Sequence, residues 1–236
     1  GETLGNAGYT TFLTGKWHNG NATALRSFQI GKAVGRGMYG AGKLAYERPK
    51  AGNPWTPWEP KYGGHWEPTV WDIVKEAGGE HKAGKPYTAR THTSELYADH
   101  AVEFLRRRDR QDGKPFFAYV SFNAPHDPRQ APRRFLDMYP ADRIPLPPNY
   151  RPEHPFDQGD HRIRDEKLAP FPRTPEAVRL HLREYYAIIT HLDAQIGRRR
   201  DLVGIGDAAE RRDLAFAREL VETLAVATLA FLERRP

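Results

Sequence analysis

Residues 8–20 read GYTTFLTGKWHNG, a short apolar run that ends in Gly15 and is followed by a lysine and a histidine. The run predicts a β-strand, in which residues i and i+2 point to the same side. We therefore expect Lys16 and His18 to project together, with Trp17 turned toward apolar packing. Such a pair can bind an anion, although an isolated Lys-x-His is also compatible with a surface lysine and a hydrogen-bonded histidine.

A second apolar run, also followed by a histidine, supports the anion-binding interpretation. Residues 115–128 read PFFAYVSFNAPHDP, and residues 116–122 show no polar alternation, which predicts a strand covered on both faces in a parallel sheet. In open α/β sheets, ligands bind at the carboxyl ends of the strands. If the two strands are neighbours, Lys16, His18 and His126 can converge at one edge of the sheet.

Three segments together resemble the sulfatase family. GYTTFLTGKWHNG is similar to the signature Gly-Tyr-x-Thr-x-x-x-Gly-Lys-Trp-His-x-Gly, and residues 116–132 are similar to the later segment with a Pro-His-x-Pro loop. Residues 152–197 resemble the stretch that leads into the family's metal site. The likeness covers residues 1 to about 197. It implies an α/β fold like that of alkaline phosphatase, with a mixed, mainly parallel sheet between helical layers.

The resemblance also implies a chemistry, the hydrolysis of a sulfuric ester. Sulfatases use a formylglycine nucleophile made from Cys or Ser and a divalent cation, calcium or magnesium. By position, Lys16 would bind sulfate oxygens, and His18 would contact the formylglycine or its sulfated form. His126 would contact the sulfate near the bridging oxygen and help the leaving group depart.

Two parts of the family pattern have no counterpart in this sequence. It contains no Cys, and none of its three serines begins the Cys/Ser-x-Pro/Ala-x-Arg nucleophile motif. The carboxylates that bind the cation in the family also have no match, so no metal ligand is predicted within the chain. We expect a piece of a longer sulfatase, rather than a degenerate relative, that does not turn over a sulfate ester by itself.

Two other functions fit the same residues. A phosphodiesterase or phosphonate hydrolase of the same superfamily would share the Lys and His pattern, although Trp17 favours a sulfatase. A non-catalytic anion-binding remnant would keep the cations without the nucleophile. The sulfatase interpretation itself allows an aryl sulfate, choline sulfate or a sulfated sugar as the substrate.

The predicted organisation is a partial catalytic domain over residues 1–200 and a helical tail over residues 201–236, with Asp207 as a possible cap. Residues 21–92 form a loop-rich insertion on the substrate side, to which no regular structure is assigned. Its tryptophans could stack on a sugar or enclose a quaternary ammonium, or could pack the insertion against the sheet. These residues are Trp55, Trp58 and Trp66.

Two helices are predicted within the partial domain. One begins near Thr93 or Ser94 and buries Tyr97, Ala101, Phe104 and Leu105. The other begins at Thr174-Pro175-Glu176, a cap followed by proline in the first turn. Its apolar residues recur at helical spacing and predict the buried face. They are Val178, Leu182, Tyr185, Ile189, Leu192 and Ile196.

The remaining histidines form no convincing zinc site by their spacing. His92 and His100 lie at or near a helix start. A surface position is expected for the others, His154, His161, His181 and His191.

The amino-acid composition limits the possible partners of the chain but indicates no specific function. The net charge of +6 could attract sulfated substrates and nucleic acid alike. The arginine runs lie near predicted helix ends, where cations suit the helix dipole, so no specific nucleic-acid partner is predicted. No apolar run is long enough to span a membrane. Compartment and oligomeric state are left open.

Overall fold

A computed structural model shows the fold and describes residues 1–37, 45, 48–107, 114–156, 169 and 171–203. The chain divides into two compact units, Gly1–Ile196 and Gly197–Pro236. The predicted helix of the tail lies outside the described residues and stays a prediction. The described part of the second unit is the end of the last helix.

Five α-helices and seven strands lie within the described residues. The helices are α1 (Glu2–Asn6), α2 (Asn21–Ser27), α3 (Thr93–Arg107), α4 (Arg133–Leu136) and α5 (Pro175–Val203). The strands are β1 (Thr10–Lys16), β2 (Ile30–Gly35), β3 (Thr69–Trp71), β4 (Ile73–Lys75), β5 (His81–Ala83), β6 (Tyr87–Thr88) and β7 (Phe116–Ser121). The two strands predicted from apolar runs are β1 and β7. No helix among the described residues is long and apolar enough to cross a membrane.

Five of the strands form one mixed sheet, in the order β6-β3-β2-β1-β7. β1 lies between β2 and β7 and is parallel to both. β3 runs antiparallel to β2, and β6 runs antiparallel to β3, while β4 and β5 form a separate pair. β1 and β7 are therefore neighbouring parallel strands, which is the condition set for the convergence of Lys16, His18 and His126, and their carboxyl ends meet where Gly15 lies beside Ser121.

Helices cover both faces of this sheet, as the fold class predicts. Phe12 and Leu13 are consecutive in β1 and so point to opposite faces. Phe12 stacks on Phe104 of α3 with the ring centroids 4.3 Å apart. Leu13 packs on the other face against Ala24 of α2 and against Phe28, which follows that helix.

The segment 21–92 contributes more regular structure than its composition indicates. β2, β3 and α2 lie within it, and β2 is the direct neighbour of β1. The β2 sequence is IGKAVG, in which two glycines and a lysine weaken the strand pattern. Ala33 also takes a positive φ of 49°, and its N–H donates to Oδ1 of Asp72 at 2.9 Å. Contacts with neighbouring elements, rather than an apolar run, therefore define this strand.

β7 is less buried than its apolar sequence predicts. It pairs with β1 on one side and is the edge strand among the described residues. Its residues are half-buried, apart from Tyr119, which is exposed. The prediction that both faces of this strand are covered is therefore wrong for Tyr119, because β7 occupies the edge of the described sheet.

α5 begins where the sequence predicts. Thr174 precedes the helix, and its Oγ1 accepts a hydrogen bond from the N–H of Ala177 at 3.1 Å. This bond satisfies one of the N–H groups that a helix start leaves without a helical partner. Pro175 occupies the first helical position, where the missing N–H of proline costs nothing.

The buried face of α5 differs from the predicted one. Tyr185 and Ile189, two members of the predicted stripe, are 40% and 39% exposed. The fully buried positions include Glu184, Ile188 and His191. Polar side chains are buried on this face because each has a charged or polar partner on a distant segment, as the candidate site shows below.

Candidate functional site

Gly15 determines how β1 ends. It has a positive φ of 97°, and a Cβ added there would lie 1.9 Å from the carbonyl oxygen of Ser121. Only glycine accepts both this conformation and this approach to β7. The pairing of β1 with β2 also shifts between Thr14 and Gly15. The residues that follow are thereby placed at the carboxyl edge of the sheet.

Trp17 anchors the segment beyond β1. Its ring packs edge-on against Phe28 and Tyr119, with the centroids 5.4 Å and 5.8 Å away. Its Nε1–H donates to the carbonyl oxygen of Gly20 at 3.0 Å. The predicted packing of Trp17 is thus confirmed, and of its neighbours Lys16 is half-buried and His18 is exposed.

His18 lies directly over Gly37, just past the end of β2. An added Cβ on Gly37 would come within 1.9 Å of Nε2 of His18, so the ring occupies the space that any larger residue at position 37 would need. Gly37 in turn accepts a hydrogen bond through its carbonyl oxygen from Nδ2 of Asn123 at 2.5 Å. Asn123 follows β7. The contacts of Gly37 with His18 and with Asn123 therefore connect the ends of the three parallel strands.

Asn123 is the buried centre of this edge. It is 4% exposed, and its Oδ1 accepts a hydrogen bond from the Tyr97 hydroxyl at 3.1 Å. Its carbonyl oxygen accepts the N–H of His126 at 3.0 Å, which closes a turn. We call Lys16, His18, Asn123 and His126 the edge cluster.

The ring of His126 is oriented by the next residue. Nδ1 lies 2.8 Å from Oδ1 of Asp127 and 3.0 Å from the Asp127 carbonyl oxygen. Both oxygens accept, so Nδ1 carries a proton and Nε2 is the ring nitrogen available to a ligand. The His126 side chain is 31% exposed, which allows a ligand to approach it.

The three tryptophans pack within the protein. Trp55 is 6% exposed and lies 4.8 Å from the Tyr62 ring. Trp58 packs on the apolar cluster between α4 and α5, and Trp66 donates its Nε1–H to the Pro57 carbonyl oxygen at 3.0 Å. The tryptophans were expected either to contact substrate or to pack the insertion against the sheet; these contacts are packing, within the insertion for Trp55 and Trp66 and on the α4–α5 cluster for Trp58. A substrate contact for Trp55, Trp58 and Trp66 stays a prediction that these contacts do not support.

A buried group of three histidines lies behind the His126 loop, and the sequence did not predict it. His65, His92 and His191 are each fully buried. The His92 ring centroid lies 5.2 Å from that of His65 and 4.5 Å from that of His191. The surface position expected for His191 is therefore wrong, because its Nε2 pairs with Oε1 of Glu95 at 3.3 Å.

Burial keeps part of this group neutral. It lowers the pKa of the His65 imidazole to about 4, and it lowers the pKa of His92 well below its usual value. In His181, which was also expected at the surface, burial and the charges of Arg129 and Arg48 lower the pKa to about 3. Neutral imidazoles can donate from one ring nitrogen and accept at the other.

A buried ion pair lies nearby on α5. Both oxygens of Glu184 accept hydrogen bonds from the Arg48 guanidinium, and Arg129 Nε lies 3.8 Å from Oε2. The Glu184 side chain is 1% exposed, and that of Arg48 is 8% exposed. Burial raises the pKa of the Glu184 carboxyl, and the two arginines oppose this effect. The ion pair between Glu184 and Arg48 connects α5 to the segment that precedes Trp55.

The described residues give no cation site. Among them, no group of three or more His, Cys, Asp or Glu side chains could hold a metal ion. The residues of the edge cluster instead supply an ammonium group, two imidazoles and an amide. These groups are suited to an anion rather than to a cation.

Gly37→Ala tests the contact between His18 and Gly37. The new methyl group would occupy the space of Nε2 of His18, so we expect this ring to move. His18 is exposed and can rotate, so the free energy of unfolding should fall by less than about 1 kcal/mol. Proton–nitrogen NMR of the histidine rings measures the movement. Gly78→Ala is the control, since nothing lies within 4 Å of its added Cβ. An unchanged His18 signal in Gly37→Ala would contradict the contact.

Comparison with known proteins assigns the family. The model of the family described as Sulfatase matches residues 1–203 of this chain. The match covers most of the 236 residues. The chain belongs to the sulfatase family.

Curated relatives agree with this assignment. The arylsulfatase of Clostridium perfringens is 33% identical over 112 residues, which are 48% of this chain and 23% of the relative. The choline-sulfatase of Rhizobium meliloti is 30% identical over 207 residues, with 82% of this chain and 36% of the relative covered. The chain therefore spans well under half the length of these relatives.

Solved structures share the fold. The yidJ protein of Bacteroides fragilis has a TM-score of 0.51 at 18% identity, with 86% of this chain and 39% of that chain covered. A structure solved in complex with its substrate D-glucosamine-2-N,6-O-disulfate has a TM-score of 0.52 at 17% identity, with 86% and 45% covered. At these identities the likeness confirms the α/β fold with its mixed, mostly parallel sheet.

Proposed function

We propose that this chain supplies the sulfate-binding residues of an enzyme that hydrolyses sulfate esters. Family membership supports the reaction class. The observation that carries the proposal is the chain of contacts from His18 through Gly37 to Asn123, which joins the ends of β1, β2 and β7. Lys16 is the last residue of β1, and the His126 N–H donates to the carbonyl oxygen of Asn123, which follows β7, so both residues come after strands whose carboxyl ends are neighbours.

Three side chains of the edge cluster act on the sulfate group in this proposal. The Lys16 ammonium and the His18 imidazole bind the non-bridging sulfate oxygens, which carry negative charge. As the bond from sulfur to the bridging oxygen breaks, charge also develops on the leaving oxygen. His126, as the imidazolium with Nδ1 held by Asp127, gives its Nε2 proton to that oxygen and so releases the alcohol, while the sulfuryl group passes to a nucleophile that the edge cluster does not supply. Groups positioned in advance for this charge lower the barrier.

Two further groups belong to the family chemistry in general, a divalent cation and a formylglycine. The sequence has no Cys, and the described residues contain no cluster that fits a metal ion. We therefore assign no step to either group. We expect the 236 residues by themselves to bind a sulfate group without turning over an ester.

The proposed substrate class is a sulfate ester of a small alcohol or of a sugar. The names of the arylsulfatase and choline-sulfatase relatives cover small esters, and the substrate in the solved complex is a sulfated sugar. The packing of the three tryptophans gives no preference between these classes. A substrate contact therefore rests on the edge cluster alone.

Binding of inorganic sulfate to Lys16→Ala tests this function. Loss of a charged hydrogen-bond donor should weaken sulfate binding by about 10- to 100-fold. Isothermal titration calorimetry measures the affinity, and Lys75→Ala, which removes an exposed lysine from β4, is the matched control. Equal affinity in Lys16→Ala and the unaltered chain would remove Lys16 from the site.

The same titration separates the alternatives. Phosphate bound much more tightly than sulfate would favour the phosphodiesterase or phosphonate hydrolase interpretation. Triple replacement of Arg198, Arg199 and Arg200 by alanine tests non-specific attraction to positive charge. If this variant loses sulfate binding and Lys16→Ala keeps it, the proposed site is wrong.

A further inference from the structure

The loop that carries His126 is held through its main chain by two buried histidines. Nε2 of His65 lies 3.1 Å from the carbonyl oxygen of His126. Nε2 of His92 lies 3.1 Å from the carbonyl oxygen of Gln130. Both imidazoles are 0% exposed, so water does not compete for these two hydrogen bonds.

Neighbouring groups fix the direction of both bonds. The N–H of Ser94 donates to Nδ1 of His92 at 3.1 Å, so the His92 proton is on Nε2. The Thr93 hydroxyl lies 2.7 Å from Nδ1 of His65. Because a carbonyl oxygen can only accept, Nε2 of His65 carries the proton and the Thr93 hydroxyl donates to Nδ1. Each ring is thus a neutral donor with both nitrogens satisfied.

Gln130 connects the loop to the segment that carries His65. Its Oε1 accepts the N–H of His65 at 2.8 Å, and its Nε2–H donates to the Gly63 carbonyl oxygen at 3.0 Å. Gly64 has a positive φ of 68°, and a Cβ there would lie 2.3 Å from Oε1 of Gln130. The close approach of the two segments therefore requires glycine at position 64.

Three anchors together determine where the His126 ring points. Its N–H donates to the Asn123 carbonyl oxygen at 3.0 Å, which fixes the peptide group before the residue. Its carbonyl oxygen accepts from His65, which fixes the peptide group after it. Asp127 then holds Nδ1 of the ring. The bond from His65 is the anchor that comes from a distant part of the chain.

We propose that His65 is a positioning residue that aims the His126 ring at the carboxyl edge of the sheet by donating from Nε2 to the His126 carbonyl oxygen. This inference rests on the proposed role of His126 in the sulfate site. His65 itself is buried and does not reach a ligand. It acts on the reaction only through the backbone of His126.

The test compares two replacements of His65. Leucine fills much of the space without a donor, whereas glutamine keeps an amide N–H that can reach the His126 carbonyl oxygen. We expect His65→Leu to weaken binding of inorganic sulfate about tenfold and to shift the His126 ring signals, while His65→Gln stays within about twofold. His100→Leu, at a half-buried position of α3 where the ring pairs with Glu103, is the control. Calorimetry measures the affinity, and proton–nitrogen NMR of the rings measures the geometry without sulfate.

The outcomes separate the positioning role of His65 from the proposed sulfate-binding function. Unchanged His126 signals in His65→Leu, or equal losses in the leucine and glutamine variants, overturn the positioning role. If the unaltered chain does not bind sulfate, the proposed function fails, yet the His126 signals still test the positioning. If His65→Leu does not fold, ring-nitrogen NMR of the unaltered chain decides. A proton on Nε2 of His65 supports the role, and a proton on Nδ1 alone overturns it.

Discussion

We expect Glu184→Ala to lower the free energy of unfolding by about 3–5 kcal/mol. The substitution removes the carboxylate that accepts both hydrogen bonds from Arg48 and lies 3.8 Å from Arg129. The Arg48 side chain is 8% exposed, so its charge would remain buried without this partner. A buried unpaired charge costs several times more than the loss of a surface ion pair. Urea unfolding followed by circular dichroism measures the difference.

The matched control is Glu176→Ala, which removes an exposed glutamate from the first turn of the same helix. It should cost less than about 1 kcal/mol, the contribution of a carboxylate near a helix N-terminus. Similar costs at the two positions would contradict a buried ion pair between α5 and the Arg48 segment. The comparison keeps residue type, helix and substitution constant, while burial, pairing and position along the helix differ.

The sequence predicted the elements whose signal is local. β1 and β7 are apolar runs bounded by glycine or proline, and they form an inner strand and one edge of the described sheet. The start of α5 was visible because Thr174 and Pro175 are a cap and a first-turn proline. Lys16, His18 and His126 were expected at one sheet edge only if β1 and β7 were neighbours, a condition that the sequence left open and that the pairing of Gly15 with Ser121 meets.

The buried face of α5 and the role of His65 depend on partners that are distant in sequence. Glu184 bonds a residue 136 positions away, and His191 bonds Glu95, 96 positions away. Such pairs leave no local pattern, so the apolar residues of α5 suggested the wrong face. One signal was available: Glu184, His191 and Gln195 recur at helical spacing with Ile188. His65 was beyond prediction because it bonds a main-chain carbonyl oxygen, which every residue has.

The buried histidines predict that the protein unfolds in mild acid. In an unfolded chain a histidine has a pKa of about 6.5, whereas burial lowers the pKa of His65 to about 4 and that of His181 to about 3. The pKa of His92 is also lowered well below its usual value. The unfolded chain therefore binds more protons than the folded chain below pH about 6.5. Stability from these groups is complete above that pH and is lost as the pH falls toward about 4.

His65 and His181 each contribute a slope of up to about 1.4 kcal/mol per pH unit, so the two together give up to about 3 kcal/mol per pH unit near pH 5, and His92 acts in the same direction. For a domain of ordinary stability this is enough to unfold it before its carboxylates become protonated. Urea unfolding at a series of pH values measures the slope. His65→Gln should reduce it by about 1.4 kcal/mol per pH unit, whereas His18→Gln, at an exposed position, should not. A free energy of unfolding that is constant over this range would mean that these imidazoles are charged in the folded protein, and His65 could not then keep the neutral donor form described above.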